Sequence, residues 1–252
     1  MPRTMIVTFL LFGLVTLGCA GTGHARTYTV AVTEDIPSTR AAVELLQAAY
    51  RMIGHDLRPQ IAPSRRVLFM AENGLVDGDL FRIEEIAATH PNLVRVPYPF
   101  LQGRVLGLLA RSGKDCTDTL PDGPLIAAVR RGVIIEKMMA LSLGTTPLET
   151  ESYDQVEMLL DSGRVDMALI SHIENMSPVN WRLWKKYQRL CQPVTHFTLF
   201  HYLHRDHAEL ANELADALEE LDSNGTKERI LKRAYEHSLS EPDVDNAHSS
   251  RY

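Results

Sequence analysis

The chain has 252 residues, which leaves room for one large domain or two modest ones and excludes a large multidomain assembly. With 23% charged and 45% hydrophobic residues it can bury a sizeable core, so pervasive disorder is excluded. A formal charge of −6 and a pI near 5.9 argue against a general affinity for nucleic acid or anionic lipid, and no nucleic-acid partner is expected.

Residues 1–25 have the pattern of an export signal. Arg3 supplies the positive charge, and Met5 to Ala20 is an apolar run without a charged residue, too short to span a bilayer comfortably. Gly23-His24-Ala25 offers a cleavage site for a general signal peptidase. Val15-Thr16-Leu17-Gly18-Cys19 offers the alternative of a lipobox with Cys19 as the anchor, although Thr16 suits that motif poorly and cleavage after Ala25 is the preferred reading. Either way Cys19 leaves the count, and Cys116 and Cys191 remain as an even pair in an oxidising compartment. A disulfide is expected, with two buried free thiols as the alternative.

Tyr28 to Thr33 is a β-rich run, followed by Pro37-Ser38 and then Val43, Leu46, Tyr50 and Ile53 at helical spacing up to Gly54. A strand near Leu57 to Ile61, a helix from Pro63-Ser64 to Asn73-Gly74 and a strand over Val76 to Ile83 complete a βαβαβ unit, which implies a parallel sheet flanked by helices. The alternation recurs with a strand at Leu125 to Val129, helices at Ile134 to Leu143 and Tyr153 to Leu160, and a strand at Val165 to Ser171.

Aligning Asn73 to Leu80 with Ser162 to Leu169 repeats the helix stop, the Val-Asp pair and the leucine, which suggests two similar lobes. Val105 to Ala110 and Phe197 to His204 are apolar strands placed to cross between them. Near the end, Asp206 and Glu209 form a capping-box pattern, Leu210, Leu214, Leu218 and Leu221 form a stripe stopped by Asn224-Gly225, and a last helix covers Lys227 to His237. The stretch 240–252 is polar, lacks periodicity and is expected to be disordered.

The signal, the two lobes, VDGDLFRI followed by Pro91 to Pro97, and the terminal HYLHRDHAELANELADALEELDSNGTKERI together resemble the bacterial extracytoplasmic solute-binding proteins of the polar amino acid ABC-transporter type. The resemblance covers nearly all of the chain beyond the signal. It implies a two-lobed type 2 periplasmic binding fold: lobe one from 26–110 and 197–239, lobe two from 111–196, each a mostly parallel sheet flanked by helices, with two β crossovers as the hinge. It also implies a periplasmic monomer that binds a small solute in its cleft and hands it to an inner-membrane permease, without a cofactor and without catalysis. Two departures bear on the solute. The family's Thr-x-x-Arg stretch is replaced by Phe81-Arg82-Ile83-Glu84-Glu85, and the acid after the second Val-Asp strand is replaced by Ser171.

Arg82 follows the strand bearing Asp79, where ligands of open α/β sheets bind, and is the principal candidate for gripping a carboxylate; a salt bridge to Asp79, Glu84 or Glu85 is the alternative. Arg65, behind the helix-capping Ser64, and Arg131, in the turn Arg130-Arg131-Gly132, are supports from the two lobes, or else ordinary surface ion pairs. Ser38, Ser152 and Ser171 could hydrogen-bond a small ligand, although Ser38 and Ser152 are equally good helix caps. Tyr98, Phe100 and Tyr153 could wall the cleft, and Asp35 is the best acid for a ligand amine. His196, His201, His204 and His207 do not have the spacing of a metal site, because His201 and His204 fall on opposite faces of a strand. The expected solute is small, polar and anionic. A periplasmic lyase, with Glu34 or Asp35 as general acid or base, and the ligand-sensing partner of a signalling receptor are the alternatives.

Overall fold

The computed structural model describes residues 25–33, 37–113, 115–173 and 184–240. The signal and lipobox readings, the polar tail and the turn carrying Glu34 and Asp35 therefore lie outside the described residues, and so do the side chains of Ser38, Ser64 and Arg65.

The first βαβαβ unit is β1 (Thr27–Val32), α1 (Pro37–Met52), β2 (Asp56–Ile61), α2 (Ser64–Glu72) and β3 (Gly78–Ile83). Helix α1 starts at a proline, whose fixed φ suits the first helical turn, and buries Ala42, Leu45, Leu46, Ala49 and Tyr50 along one face. A short strand, β4 (Leu93–Arg95), precedes the long β5 (Leu101–Ser112). The second unit is β6 (Ile126–Arg130), α3 (Ile134–Ser142), β7 (Thr146–Thr150), α4 (Tyr153–Asp161) and β8 (Met167–Ile173). The chain returns through β9 (Tyr187–Arg189) and β10 (Thr195–His204) and ends in α5 (Ala211–Ser223) and α6 (Thr226–Ser240).

These strands form one ten-stranded sheet in the order β2-β1-β3-β10-β5-β8-β6-β7, with β4 added to β10 and β9 to β5. Pairing is parallel within β2-β1-β3 and within β7-β6-β8, and antiparallel where the halves meet. Strands β5 and β10 belong to both halves: β10 pairs with β5 from Thr195 to Leu199 and with β3 from Leu199 to Leu203, while β5 pairs with β8 from Gly103 to Leu109. They are the two crossings anticipated from their apolar runs, each longer than its run.

The Val-Asp repeat has a structural cause. The Asp77 amide donates to the Thr29 carbonyl at 2.7 Å, and its carboxylate accepts the Thr29 amide at 2.7 Å. In the second half the Asp166 amide donates to the Ile126 carbonyl at 2.9 Å and its carboxylate accepts the Ile126 amide at 2.7 Å. Each aspartate clamps the third strand of its unit to the first, and the registers agree, Val30 opposite Gly78 as Ala127 is opposite Met167. The preceding helix stops are also alike, with Gly74 at φ 65° and Gly163 at φ 63°, a conformation glycine adopts without strain. Arg82 and Ser171, each five residues past its aspartate, thus occupy matching places at the ends of β3 and β8.

Two readings from the sequence are corrected. Asp206 and Glu209 do not cap α5; the chain from Arg205 to Leu210 is a 3-10 turn kinked at His207, and the His204 ring accepts the Asp206 amide instead. Strand β7 went unread because it is a sheet edge, pairing among the described strands with β6 alone, where Pro147 and alternating exposure are tolerated. The expected disulfide is present: Cys116 and Cys191 are bonded, with Cα atoms 4.8 Å apart, beside the bridge between Thr117 and Leu190.

Candidate ligand cleft

A cavity opens between the carboxyl ends of the strands of both halves, where the parallel units face each other across the crossings. Its enclosed volume is about 140 Å³, below the roughly 300–1,000 Å³ of typical small-molecule sites, and its mouth opens to solvent. The first half contributes Thr33 beyond β1, Thr39 in α1, and Phe81, Arg82 and Ile83 at the end of β3. The second half contributes the turn from Arg130 to Val133, the start of α3, Tyr153 at the start of α4, and Ser171 and Ile173 from β8. Phe197 and Leu199 of β10 form the base. Phe197 can lie there because Gly103 faces it across the crossing; a Cβ on Gly103 would come within 2.5 Å of the ring.

Arg82 is the best-placed polar group. Its Nε donates to Asp79 Oδ2 at 2.7 Å, and the two side chains are only 10% and 2% exposed. Burial pushes the Asp79 carboxyl up and the Arg82 guanidinium opposes that rise. Nε alone is committed, so the two terminal nitrogens of Arg82 have no hydrogen-bond partner among the described residues, and the guanidinium is anchored at one edge. Asp79 itself does not line the cavity: it positions the arginine.

Arg131 also lines the cavity but is engaged by Glu151 and, at 3.5 Å, by Glu149. Arg130 lies over the Tyr153 ring, 4.9 Å from its centroid, with a terminal nitrogen on the Glu151 carbonyl. Ser171 lines the cavity, and its amide donates to Glu136 at 2.7 Å. Ser152 caps α4, accepting the Gln155 amide, and is absent from the cavity lining. Tyr98 is absent from the cavity lining: its hydroxyl donates to Asp222 at 2.7 Å and Lys227 sits over its ring, which ties the β4–β5 connection to the end of α5 and the start of α6. Phe100 is in the core. Among the four histidines, His201 is wholly buried between Tyr50 and the Asp79 carbonyl, and His207 pairs with Asp77. No group of three ligating side chains able to hold a metal occurs among the described residues.

Sequence reasoning passed over Glu136. It is fully buried behind the second-half wall and accepts hydrogen bonds from the Arg130 amide at 2.8 Å, the Ser171 amide at 2.7 Å and the Tyr153 hydroxyl at 2.9 Å. One carboxyl therefore ties the ends of β6 and β8 to the start of α4, three pieces of cavity wall. Desolvation pushes it up to about 7, against the pull of those donors. The Ser171 hydroxyl also lies close enough to favour the charged form, but it makes no hydrogen bond of good geometry. The signal in the sequence was an acid at the third position of a helix that opens with two isoleucines.

No family model matches the chain. An uncharacterized protein from Shewanella oneidensis is 21% identical over 202 residues, 74% of this chain and 72% of that protein. Among solved structures, the amino acid ABC transporter substrate-binding protein AbpA from Streptococcus pneumoniae, bound to L-arginine, superposes with a TM-score of 0.66 at 14% identity, covering 85% of this chain and 97% of that one. A histidine kinase sensor domain with similarity to periplasmic binding proteins gives 0.64 at 17% identity, covering 83% and 96%. The GluR0 ligand-binding core from Nostoc punctiforme, in complex with L-glutamate, gives 0.64 at 14% identity, covering 83% and 98%. The chain has the fold of the substrate-binding proteins of amino acid ABC transporters, the type 2 periplasmic binding fold.

Proposed function

We propose that this protein is an exported solute-binding protein that holds a small, carboxylate-bearing, amino-acid-like solute between its two lobes and delivers it to an ABC importer, as a binder and not a catalyst. The observation that carries this reading is Arg82, fixed through Nε by the buried Asp79 and lining the cavity with its terminal nitrogens uncommitted among the described residues. A carboxylate meets such a fork through two parallel charge-assisted hydrogen bonds, which are about twice as strong as neutral ones. The crossings support hinge closure over the solute, because β5 and β10 are continuous strands shared by both halves. Solved proteins of this fold hold L-arginine or L-glutamate, so the fold accommodates ligands of this size.

A sensing role is the second reading, favoured by the likeness to a histidine kinase sensor domain, and it uses the same cleft. The test is a panel of small carboxylates added to the purified protein. Ligand-dependent rises in melting temperature, with each ligand recovered chemically unchanged, are expected. Turnover of any ligand would reverse the assignment in favour of an enzyme, and a lack of response to every carboxylate would remove the binding claim.

A further inference from the structure

Resting on that reading, we infer that the solute is a carboxylate on an apolar body, aromatic or branched aliphatic, and not a basic or amide-bearing amino acid. Away from Arg82 the cavity wall is hydrocarbon from three directions. Phe81 and Ile83 flank Arg82 on β3, and Phe197 and Leu199 rise from the crossing. On the opposite wall, Val133 and Ile134 at the start of α3 and Ile173 at the end of β8 complete the enclosure.

The charged side chains among the described lining residues are all arginines, Arg82, Arg130 and Arg131. A cation at the far end of the ligand, such as the guanidinium of an arginine ligand, would meet like charge and no carboxylate among the described lining residues, and would lose its hydration against the Phe81 and Phe197 rings. An amide end fares little better. Of the described lining hydroxyls, that of Tyr153 is already given to Glu136 and Thr39 is itself engaged, which leaves those of Thr33 and Ser171 to meet a polar tail. A polar ligand tail closed against this wall leaves unpaired donors, whereas a phenyl or branched aliphatic body gains from every wall it touches.

The experiment is titration calorimetry of the purified chain with L-phenylalanine, L-leucine, 3-phenylpropionate, L-arginine, L-glutamine and L-glutamate. At least one of the first three is expected to bind tenfold or more tightly than any of the last three. A companion variant, Val133→Asn, shown to be folded by circular dichroism, changes a half-buried wall residue at the cap of α3 that packs in part on the core, and should weaken the apolar ligand at least fivefold. Tighter binding of L-arginine, L-glutamine or L-glutamate would overturn the inference and leave the solute-binding reading standing. Binding of an apolar carboxylate that Val133→Asn does not alter would place it outside this cavity and also overturn the inference. Failure of all six to bind a folded protein would count against both the inference and the reading beneath it.

Discussion

Substituting Glu136 with glutamine isolates the desolvation of a single buried carboxyl. Burial raises it from an ordinary value of 4.5 to about 7. A group that holds its proton more tightly in the folded chain contributes stability fully present below the unfolded value and lost as pH rises through the folded one. At about 1.4 kcal/mol per pH unit, the wild type should lose about 3 kcal/mol of stability from Glu136 between pH 4.5 and 7. His201 acts in the opposite sense. Burial lowers it from 6.5 to about 4, so its contribution is present above pH 6.5 and is lost as pH falls toward 4. The two nearly cancel in the wild type, and the variant unmasks the histidine. Glutamine keeps an oxygen for Ser171 and Tyr153 but turns an amide group toward the Arg130 amide, a cost of about 1–3 kcal/mol at low pH. Urea unfolding of both proteins at pH 4.5, 5.5, 6.5 and 7.5 checks this. The deficit of Glu136→Gln should shrink by about 3 kcal/mol across the series. A deficit constant to within about 0.5 kcal/mol would mean that Glu136 is not desolvated, and the reasoning would fail.

The clamps predict that Asp166→Ala lowers stability by about 1–3 kcal/mol through the orphaned Ile126 amide, and that Asp77→Ala costs more, because Arg26 and His207 also lose their acid. Thermal unfolding of the pair gives the order. Breaking the Cys116–Cys191 bridge with a double serine variant should cost about 4 kcal/mol by the loop-entropy estimate for a separation of 75 residues, and non-reduced protein should show no alkylatable thiol at either position by intact mass. Tyr98→Phe should lose about 1 kcal/mol of stability with its bond to Asp222 and leave ligand affinity within about twofold, in keeping with a position outside the cleft.

The fold was legible where periodicity and punctuation agreed. Val43, Leu46 and Tyr50 marked α1, and the paired Gly-x-Val-Asp stops marked the two units because each aspartate performs the same backbone clamp. Strand β7 was illegible because an edge strand of five residues with a proline and a single buried residue has no apolar run to read. The start of α5 was misplaced because a histidine ring took over the capping that the sequence assigned to an acid. At the site, both the placement of Arg82 past the β3 aspartate and its ion pair with Asp79, three residues away, were legible, but not which of Asp79, Glu84 and Glu85 it would choose. Glu136 was invisible for a related reason. Its partners are two backbone amides and a tyrosine hydroxyl, groups with no charge to signal a pairing in sequence.

The central claim is that Arg82 grips a solute carboxylate, and the most direct measurement is calorimetric affinity for the tightest carboxylate of the panel, wild type against Arg82→Met. Each protein is first shown to be folded by circular dichroism, with Asp79→Asn added so that no unpaired acid is left buried beneath the substitution. Loss of the charge-assisted fork predicts a cost above about 2 kcal/mol, a weakening of roughly thirtyfold or more, and Arg82→Lys should recover only part of it. Affinity within about threefold of wild type in the folded Arg82→Met variant would contradict the account, leaving Arg82 as no more than the internal ion-pair partner of Asp79.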